Sequence, residues 1–464
     1  MSIQTINPAT EEIVETFEPY TTTQIDEAIN QAHQAFEQWR ETSFDERRAH
    51  LHHVARHLRE QKARYAQTIT QEMGKPITEA EAEIEKCAWN CEYYADNAER
   101  ILADESVHTN ASESYVSYLP LGVVLAVMPW NYPFWQVFRF AAPALMAGNT
   151  AVLKHASNVS RAALEIEQVF QESGLPQGVF RTVLVPGAET KHLIADPRIA
   201  AVTLTGSDPA GVAVASASGQ ALKKNVLELG GSDAFIILED ADLDAAAQTA
   251  VRARFQNTGQ SCIAAKRFIV VESVADAFEQ KFVAAAAKLR VGDPLNRETQ
   301  VGPIARGDLR ADLDAQVRAS VEMGAKIALG GKPLEGKGYF YAPTIVTNVT
   351  TEMPVFREET FGPVAAIIRA RDAQHAITLA NDSPFGLSGN LWTGDIERGR
   401  KLARRIESGG VFINGMTASD PRLPFGGVKR SGYGRELSSF GIREFVNVQT
   451  IWIGPAVAAQ VTSE

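Results

Sequence analysis

An α/β fold built on parallel sheets is predicted by three observations. Apolar runs at Val123–Met128, Thr150–Lys154, Phe180–Val185 and Ala201–Thr205 are separated by amphipathic helical stretches. A second such series starts near Ala234–Leu238 and runs to Val411–Asn414, with strands at Phe268–Val271 and Ala365–Ile368. Strands joined through helices must cross over, and right-handed crossovers place them side by side in a parallel sheet. The chain has 464 residues, 45% of them hydrophobic. That length suits roughly three domains, each able to bury a core.

The elements follow in order. From Ile25 to about Arg100 the pattern is helical: Ala28, Ile29, Ala32 and Phe36 form one stripe, and Leu51, Val54, Leu58 and Tyr65 another. Gly74-Lys75-Pro76 breaks two of these helices apart. Around Ser112 to Tyr118 polar and apolar residues alternate, as they do again from Glu444 to Trp452, and each segment reads as an extended strand. Isolated strands of this kind leave open sheet edges, which a second subunit can cover. No internal repeat or low-complexity run is present, and only the tail after Gly454 reads as loose.

Bulk properties narrow the function. A net charge of −11 argues against nucleic acid or an anionic membrane as the main partner. The apolar stretch Leu121 to Phe138 is broken by Pro129, Asn131 and Pro133, which suits a buried strand and turn better than a membrane span. Met1-Ser2-Ile3-Gln4-Thr5 lacks a basic region ahead of an apolar run, so no secretory signal is expected. Three cysteines cannot make a disulfide framework, which points to the reducing cytoplasm. Cys87 and Cys91 lie four apart on a helical stretch without a second ligand pair, so packing is expected there and no metal.

Four segments carry chemistry. Phe255-Gln256-Asn257-Thr258-Gly259-Gln260-Ser261-Cys262 sets a thiol on a turn after a helix, and Leu227-Glu228-Leu229-Gly230-Gly231 ends a strand with a carboxylate and two glycines. Thiol attack on a carbonyl needs exposure, oxyanion donors and a base for a later water. With Pro129-Trp130-Asn131-Tyr132-Pro133 and Glu358-Glu359-Thr360-Phe361-Gly362-Pro363, these segments resemble the NAD(P)-dependent aldehyde dehydrogenases, and matching motifs run from Asn7-Pro8 to Gly432-Tyr433-Gly434-Arg435.

The resemblance implies an aldehyde dehydrogenase fold. Its Rossmann-like dinucleotide-binding domain would span 1–104 and 120–230, its α/β catalytic domain 231–430, and a small β-ribbon oligomerisation element 105–119 and 431–464. It implies a homodimer or a dimer of dimers. It makes Cys262 the nucleophile, Glu228 the water-activating base, and the Asn131 amide with the Cys262 backbone N–H the oxyanion donors.

For the cofactor, NADP or NAD, Thr205-Gly206-Ser207-Asp208 follows a strand and opens a helix, where N–H groups can hold a pyrophosphate. The resemblance assigns that contact to Gly206 and Ser207, the adenosine ribose to Lys154, and the nicotinamide half to Trp130, Glu359 and Phe361. Strict NAD users often carry a glutamate where this chain has Ser157, and a small hydroxyl beside a lysine tolerates a 2′-phosphate. His155 departs from the proline often found there.

Within the family, Leu227 to Asp233 and Gln260 to Arg267 resemble the bacterial succinate-semialdehyde dehydrogenases. The expected substrate is then an aldehyde acid, whose carboxylate must meet a cation. Arg139, eight residues past Asn131 on an otherwise apolar helix, is the candidate, helped by Ser419. Some members carry a second arginine where this chain has Gln256, and Arg422 could compensate. The alternative is a broad-specificity NAD-dependent aldehyde dehydrogenase acting on another small aldehyde.

Overall fold

The computed structural model describes residues 2–454; the tail expected to be loose lies outside them. The first helices form where the apolar stripes fall, at Thr22–Trp39, Phe44–Glu60, Lys62–Met73 and Ile77–Ile101. Thr21 and Ser43 start two of them with reciprocal capping boxes, which satisfy backbone N–H groups that the helix itself cannot. Gly74 stops the third in the left-handed region, at φ 81°.

Two large sheets organise the chain. The first runs Gly432–Tyr433, Lys224–Glu228, Ile199–Thr205, Val123–Met128, Thr150–His155 and Phe180–Thr182, parallel except for its first member. Gly432–Tyr433 thus forms the edge of this sheet, although the sequence groups it with the ribbon; it pairs with the strand that carries Glu228. The helices Phe44–Glu60, Ile77–Ile101 and Trp135–Met146 share one core, into which Leu51, Val54 and Leu58 project. Ala28, Ile29 and Ala32 pack against Val123, Leu125 and Val152 in a separate core.

The second sheet runs Lys326–Leu329, Thr344–Thr347, Val364–Ala370, Ala265–Val271, Asp233–Ile237, Ser388–Trp392 and Gly410–Ile413. All its pairings are parallel except the outermost one, between Lys326–Leu329 and Thr344–Thr347. Both its faces are covered, in agreement with the continuous apolar runs of its strands.

The two alternating segments pair with each other. Val446–Ile453 runs antiparallel to Glu113–Pro120, and Glu105–Ser106 adds a third short strand. One edge is therefore closed within the chain, while Val446–Ile453 remains outermost with Val448, Trp452 and Ile453 exposed. The hairpin Ile3–Asn7 with Glu12–Phe17 was not read from sequence, because its mixed polar composition lacks an apolar alternation long enough to signal it.

The sheets position the site in complementary ways. Asn131, Ser157, Gly206 and Glu228 all lie at or just past the C-terminal ends of adjacent first-sheet strands, where ligands bind in open parallel sheets. Gly231, Cys262 and Phe361 precede the neighbouring second-sheet strands that begin at Asp233, Ala265 and Val364.

Candidate active site

The nucleophile turn is held in an unusual backbone conformation. After the helix Leu243–Phe255, Asn257 has φ 54° and ψ 32° and Thr258 has φ 57° and ψ 27°. Left-handed backbone costs a non-glycine residue roughly 1–2 kcal/mol. Hydrogen bonds offset it. Asn257 N donates to Glu79 Oε2 at 2.7 Å, the Asn257 amide donates to the Asn131 carbonyl at 2.9 Å, and Thr258 Oγ1 accepts from Gly302 N at 3.0 Å. Gly259 follows at φ 72°, where a Cβ would collide with the Gly362 carbonyl.

Lys266, fully buried at the start of its strand, closes the loop. Its Nζ donates to the carbonyls of Ser261, Cys262 and Ala264 at 2.9, 2.8 and 3.3 Å and faces Glu359 at 3.4 Å. Cys262 emerges half-buried on a cavity of about 840 Å³. Burial pushes its thiol up to about 12, while the Arg139 and Lys266 charges oppose that shift. The thiol is therefore more fully neutral than a free cysteine, whose pKa is about 8.5.

Asn131 is buried beside that turn, its Nδ2 donating to the Gln260 carbonyl at 3.2 Å. The turn thus brings together the nucleophile and the amide expected to serve it. Glu228 lies deeper. Both carboxyl oxygens are buried without a hydrogen-bond partner, and a Cβ at Gly426 would sit 2.6 Å from Oε1. Burial, then the nearby Glu436 charge, holds its pKa well above the ordinary carboxylate range. Glu228 is not among the residues lining the cavity with Cys262.

The residues expected at the cofactor fall into two groups. Trp130 and Phe361 meet edge to face, ring centroids 5.7 Å apart, and Glu359 accepts from Gly231 N at 3.0 Å. Lys154 ends its strand buried and forms no ion pair among the described residues, and desolvation lowers its pKa. Ser157 is exposed one turn beyond. Ser207 precedes the helix Asp208–Gln220, its side chain making no capping bond. A Cβ at Gly206 would meet nothing nearer than Leu204 at 3.6 Å, so the chain's own packing does not require glycine there. His155 is taken up structurally: its ring contacts the Pro133 carbonyl at 2.9 Å, and burial pushes it down to about 4.

On the same cavity, the structure gives Arg139 an anion of the chain's own. Its guanidinium forms a buried ion pair with Glu436, bonds Thr205 Oγ1 at 3.2 Å, and lies over the Phe425 ring at 4.6 Å. The helix spacing placed Arg139 on the cavity, but Glu436 comes from almost 300 positions later and no local pattern announces it. Ser419 is buried on the same cavity and accepts from Lys86 Nζ at 2.6 Å. Gln256 also lines the cavity, whereas Arg422 is turned to solvent and paired with Asp420 at 2.6 Å, so it does not compensate there.

The chain matches the aldehyde dehydrogenase family over residues 1–451. The chain belongs to that family. It is 53% identical over 453 residues to a probable succinate-semialdehyde dehydrogenase [NADP(+)] of Synechocystis sp., covering 98% of this chain and 100% of the relative. It is 52% identical over 458 residues to a succinate-semialdehyde dehydrogenase [NADP(+)] of Mycolicibacterium paratuberculosis, covering 98% and 97%. Among solved structures it is similar to succinic semialdehyde dehydrogenase from Streptococcus pyogenes in complex with NADP+, with a TM-score of 0.96, 39% identity, and coverage of 98% and 100%.

This aldehyde dehydrogenase contains working parts that the sequence reading did not single out. Lys266, Glu436 and Lys86 sit outside any motif with an obvious chemical pattern. Lys266 falls within the family-like run ending at Arg267, and two cationic residues at the start of a strand that continues as Phe268-Ile269-Val270-Val271 were the available signal. Cys87 and Cys91 are fully buried in the helix Ile77–Ile101 and act as packing residues. Among the described residues, no helix is long and apolar enough to cross a membrane.

Proposed function

We propose that the chain oxidises succinic semialdehyde to succinate with NADP+ or NAD+, through covalent intermediates on Cys262. The observation that carries this reading is the cavity, which presents the Cys262 thiol together with the Ser419 hydroxyl and the side chain of Arg139. The names of the similar proteins support the same substrate and favour NADP+.

The residues present fit such a cofactor. Lys154, desolvated and without an ion-pair partner among the described residues, fits an anionic adenosine end, and exposed Ser157 leaves room for a 2′-phosphate. Gly206 and Ser207 offer a helix start to the pyrophosphate, with Asp208 neutralised by Arg430 at 2.6 Å. Trp130, Phe361 and Glu359 would take the nicotinamide half.

In the reaction, the Cys262 thiol gives up its proton to water as Sγ adds to the aldehyde carbon, and the carbonyl electron pair moves onto oxygen. Asn131 Nδ2 and the Cys262 N–H donate to that oxyanion; losing one such donor typically costs about 2.7–4 kcal/mol of barrier. A nicotinamide held by Trp130, Glu359 and Phe361 would supply the hydride acceptor, and loss of hydride from the carbon bonded to Sγ leaves a thioester on Cys262. Glu228, turning from its deep position, takes a proton from water as the water attacks the thioester carbon. The C–S bond breaks, succinate leaves, and the thiol is restored.

Succinic semialdehyde offered with each cofactor in turn tests this reading. Stoichiometric reduced cofactor and succinate are expected; product formed only with coenzyme A as acyl acceptor would overturn hydrolysis by Glu228. The Arg139–Glu436 pair favours one second reading, a broad-specificity aldehyde dehydrogenase, because it already gives the expected cation an anion of the chain's own.

A further inference from the structure

We infer that Lys266 is a positioning residue for Cys262, holding its loop and supplying the positive charge that favours the thiolate, and that Glu359 tempers this charge from the cofactor end. This rests on the proposed function for the roles of Cys262 and Glu359.

Cys262 faces an obstacle of its own making. Its Sγ must lose a proton to attack, and a half-buried site disfavours the anion that remains. A compensating cation has to stand close. Lys266 is fully buried and, among the described residues, is the cation that bonds the Cys262 backbone itself. Because Nζ also takes the Ser261 and Ala264 carbonyls, the turn bends around one charge. The polar partners of Nζ are all acceptors: these three carbonyls and Glu359 Oε1. An ammonium has three N–H donors and no lone pair, so the enclosure selects the charged form.

The other ionisable groups nearby are committed elsewhere. Arg139 pairs with Glu436, and Arg254 donates to the carbonyls of Gly259, Thr360, Gly362 and Ala265. Asp233 accepts from Ser388 N at 3.0 Å and from the Ser388 hydroxyl. Burial holds the Tyr132 hydroxyl far above its ordinary range, so it stays neutral. Burial raises the Cys262 pKa most; Arg139 and Lys266 lower it, and Glu359 and Asp233 raise it.

Glu359 reaches this cluster because no side chain follows Leu229 to block it. A Cβ at Gly230 would collide with the Glu359 carboxylate, and one at Gly231 would lie 2.7 Å from the Cys262 carbonyl. The Glu359 side chain is 21% exposed while Lys266 is sealed. Glu359 is thus open to the nicotinamide half, and Lys266 is turned to the thiol loop. Ribose hydroxyls that donate to Glu359 would draw its charge off Lys266 and leave the ammonium to act on Sγ.

The test follows alkylation of Cys262 by iodoacetamide in the full-length chain without cofactor or substrate, from neutral to alkaline pH. Peptide mass mapping separates Cys262 from the buried Cys87 and Cys91. Lys266→Gln keeps N–H donors for the carbonyls but removes the charge. It should react about tenfold more slowly at each pH, equivalent to a rise of about one unit in the thiol pKa. Lys266→Arg, which keeps the charge, should stay within about threefold of the wild type. Glu359→Gln should react about tenfold faster. A purely structural lysine predicts the opposite sign in Lys266→Gln, because a loosened loop exposes the thiol; an unchanged or faster rate therefore overturns the assignment. Should Lys266→Gln not fold, Glu359→Gln decides, and an unchanged or slower rate there overturns the inference. Alkylation needs no substrate, so a wild type that makes no succinate while these shifts hold would overturn the proposed function and leave the Lys266 assignment standing.

Discussion

Lys266 and Lys86 are both withdrawn from water near Cys262, yet their surroundings are opposite. Lys266 is enclosed by three carbonyl oxygens and Glu359. Lys86 has one hydroxyl and an aromatic face. The first arrangement spends every donor on the chain and fixes the loop that carries the nucleophile. The second leaves charge uncompensated in a cavity large enough for a small molecule. Within one site, chemistry needs fixed geometry at the thiol, and recognition needs unsatisfied polarity at the opposite wall. Lys154 repeats the second pattern where the cofactor is proposed to lie.

The largest effect expected is at the fixed end. Cys262→Ala should lower turnover by at least about three orders of magnitude, while NADP+ binding, followed by fluorescence titration, should be nearly retained. Substantial steady-state turnover would remove Cys262 from the mechanism.

Two of the cations on the cavity, Arg139 and Lys86, should separate in stability. Arg139→Ala leaves Glu436 buried without its partner and should cost about 3–5 kcal/mol in denaturant unfolding. Lys86→Met strands no carboxylate and should cost about 1 kcal/mol or less. Equal losses would mean that Lys86 has a structural anion after all.

The pH response sharpens the comparison further. Cys262 is pushed up to about 12, so its thiol is protonated at neutral pH and loses its proton as pH rises; burial also holds Glu228 above the ordinary carboxylate range. Butanal oxidation should therefore accelerate with pH, by up to about tenfold per unit. A profile flat from neutral to alkaline pH would show that bound ligands already ionise the thiol.

A smaller effect belongs to the cofactor end. Ser157→Glu places a carboxylate near Lys154 and should shift preference toward NAD+ by roughly 10- to 100-fold, since like-charge repulsion of a 2′-phosphate costs on the order of 1–3 kcal/mol. The ratio of kcat/KM for the two cofactors measures it; an unchanged ratio would place the 2′-phosphate elsewhere.

Local patterns in the sequence were enough to locate much of this. Val123–Met128 is a strand over the predicted residues because six consecutive apolar side chains are all buried. Cys262 could be picked from three cysteines because glycine and the flanking motifs marked a turn, whereas Cys87 and Cys91 lay in a plain helix. What stayed hidden depends on distant partners. Glu436 reaches Arg139 across the chain, and Lys86 meets Ser419 across 333 positions. A helix pattern tells which face a lysine occupies, but not which carboxylates nearby are already engaged. The left-handed Asn257 and Thr258 were equally invisible, since the bonds that hold them come from Glu79 and Gly302.

The most direct measurement is the wild-type kcat/KM for succinic semialdehyde against butanal, at neutral pH with saturating NADP+. The account predicts an advantage of about 2–4 kcal/mol for the acid, because its carboxylate can accept from the polar groups that line the cavity around Ser419. Equal efficiency for the two aldehydes would contradict it and leave a dehydrogenase that reads only the aldehyde.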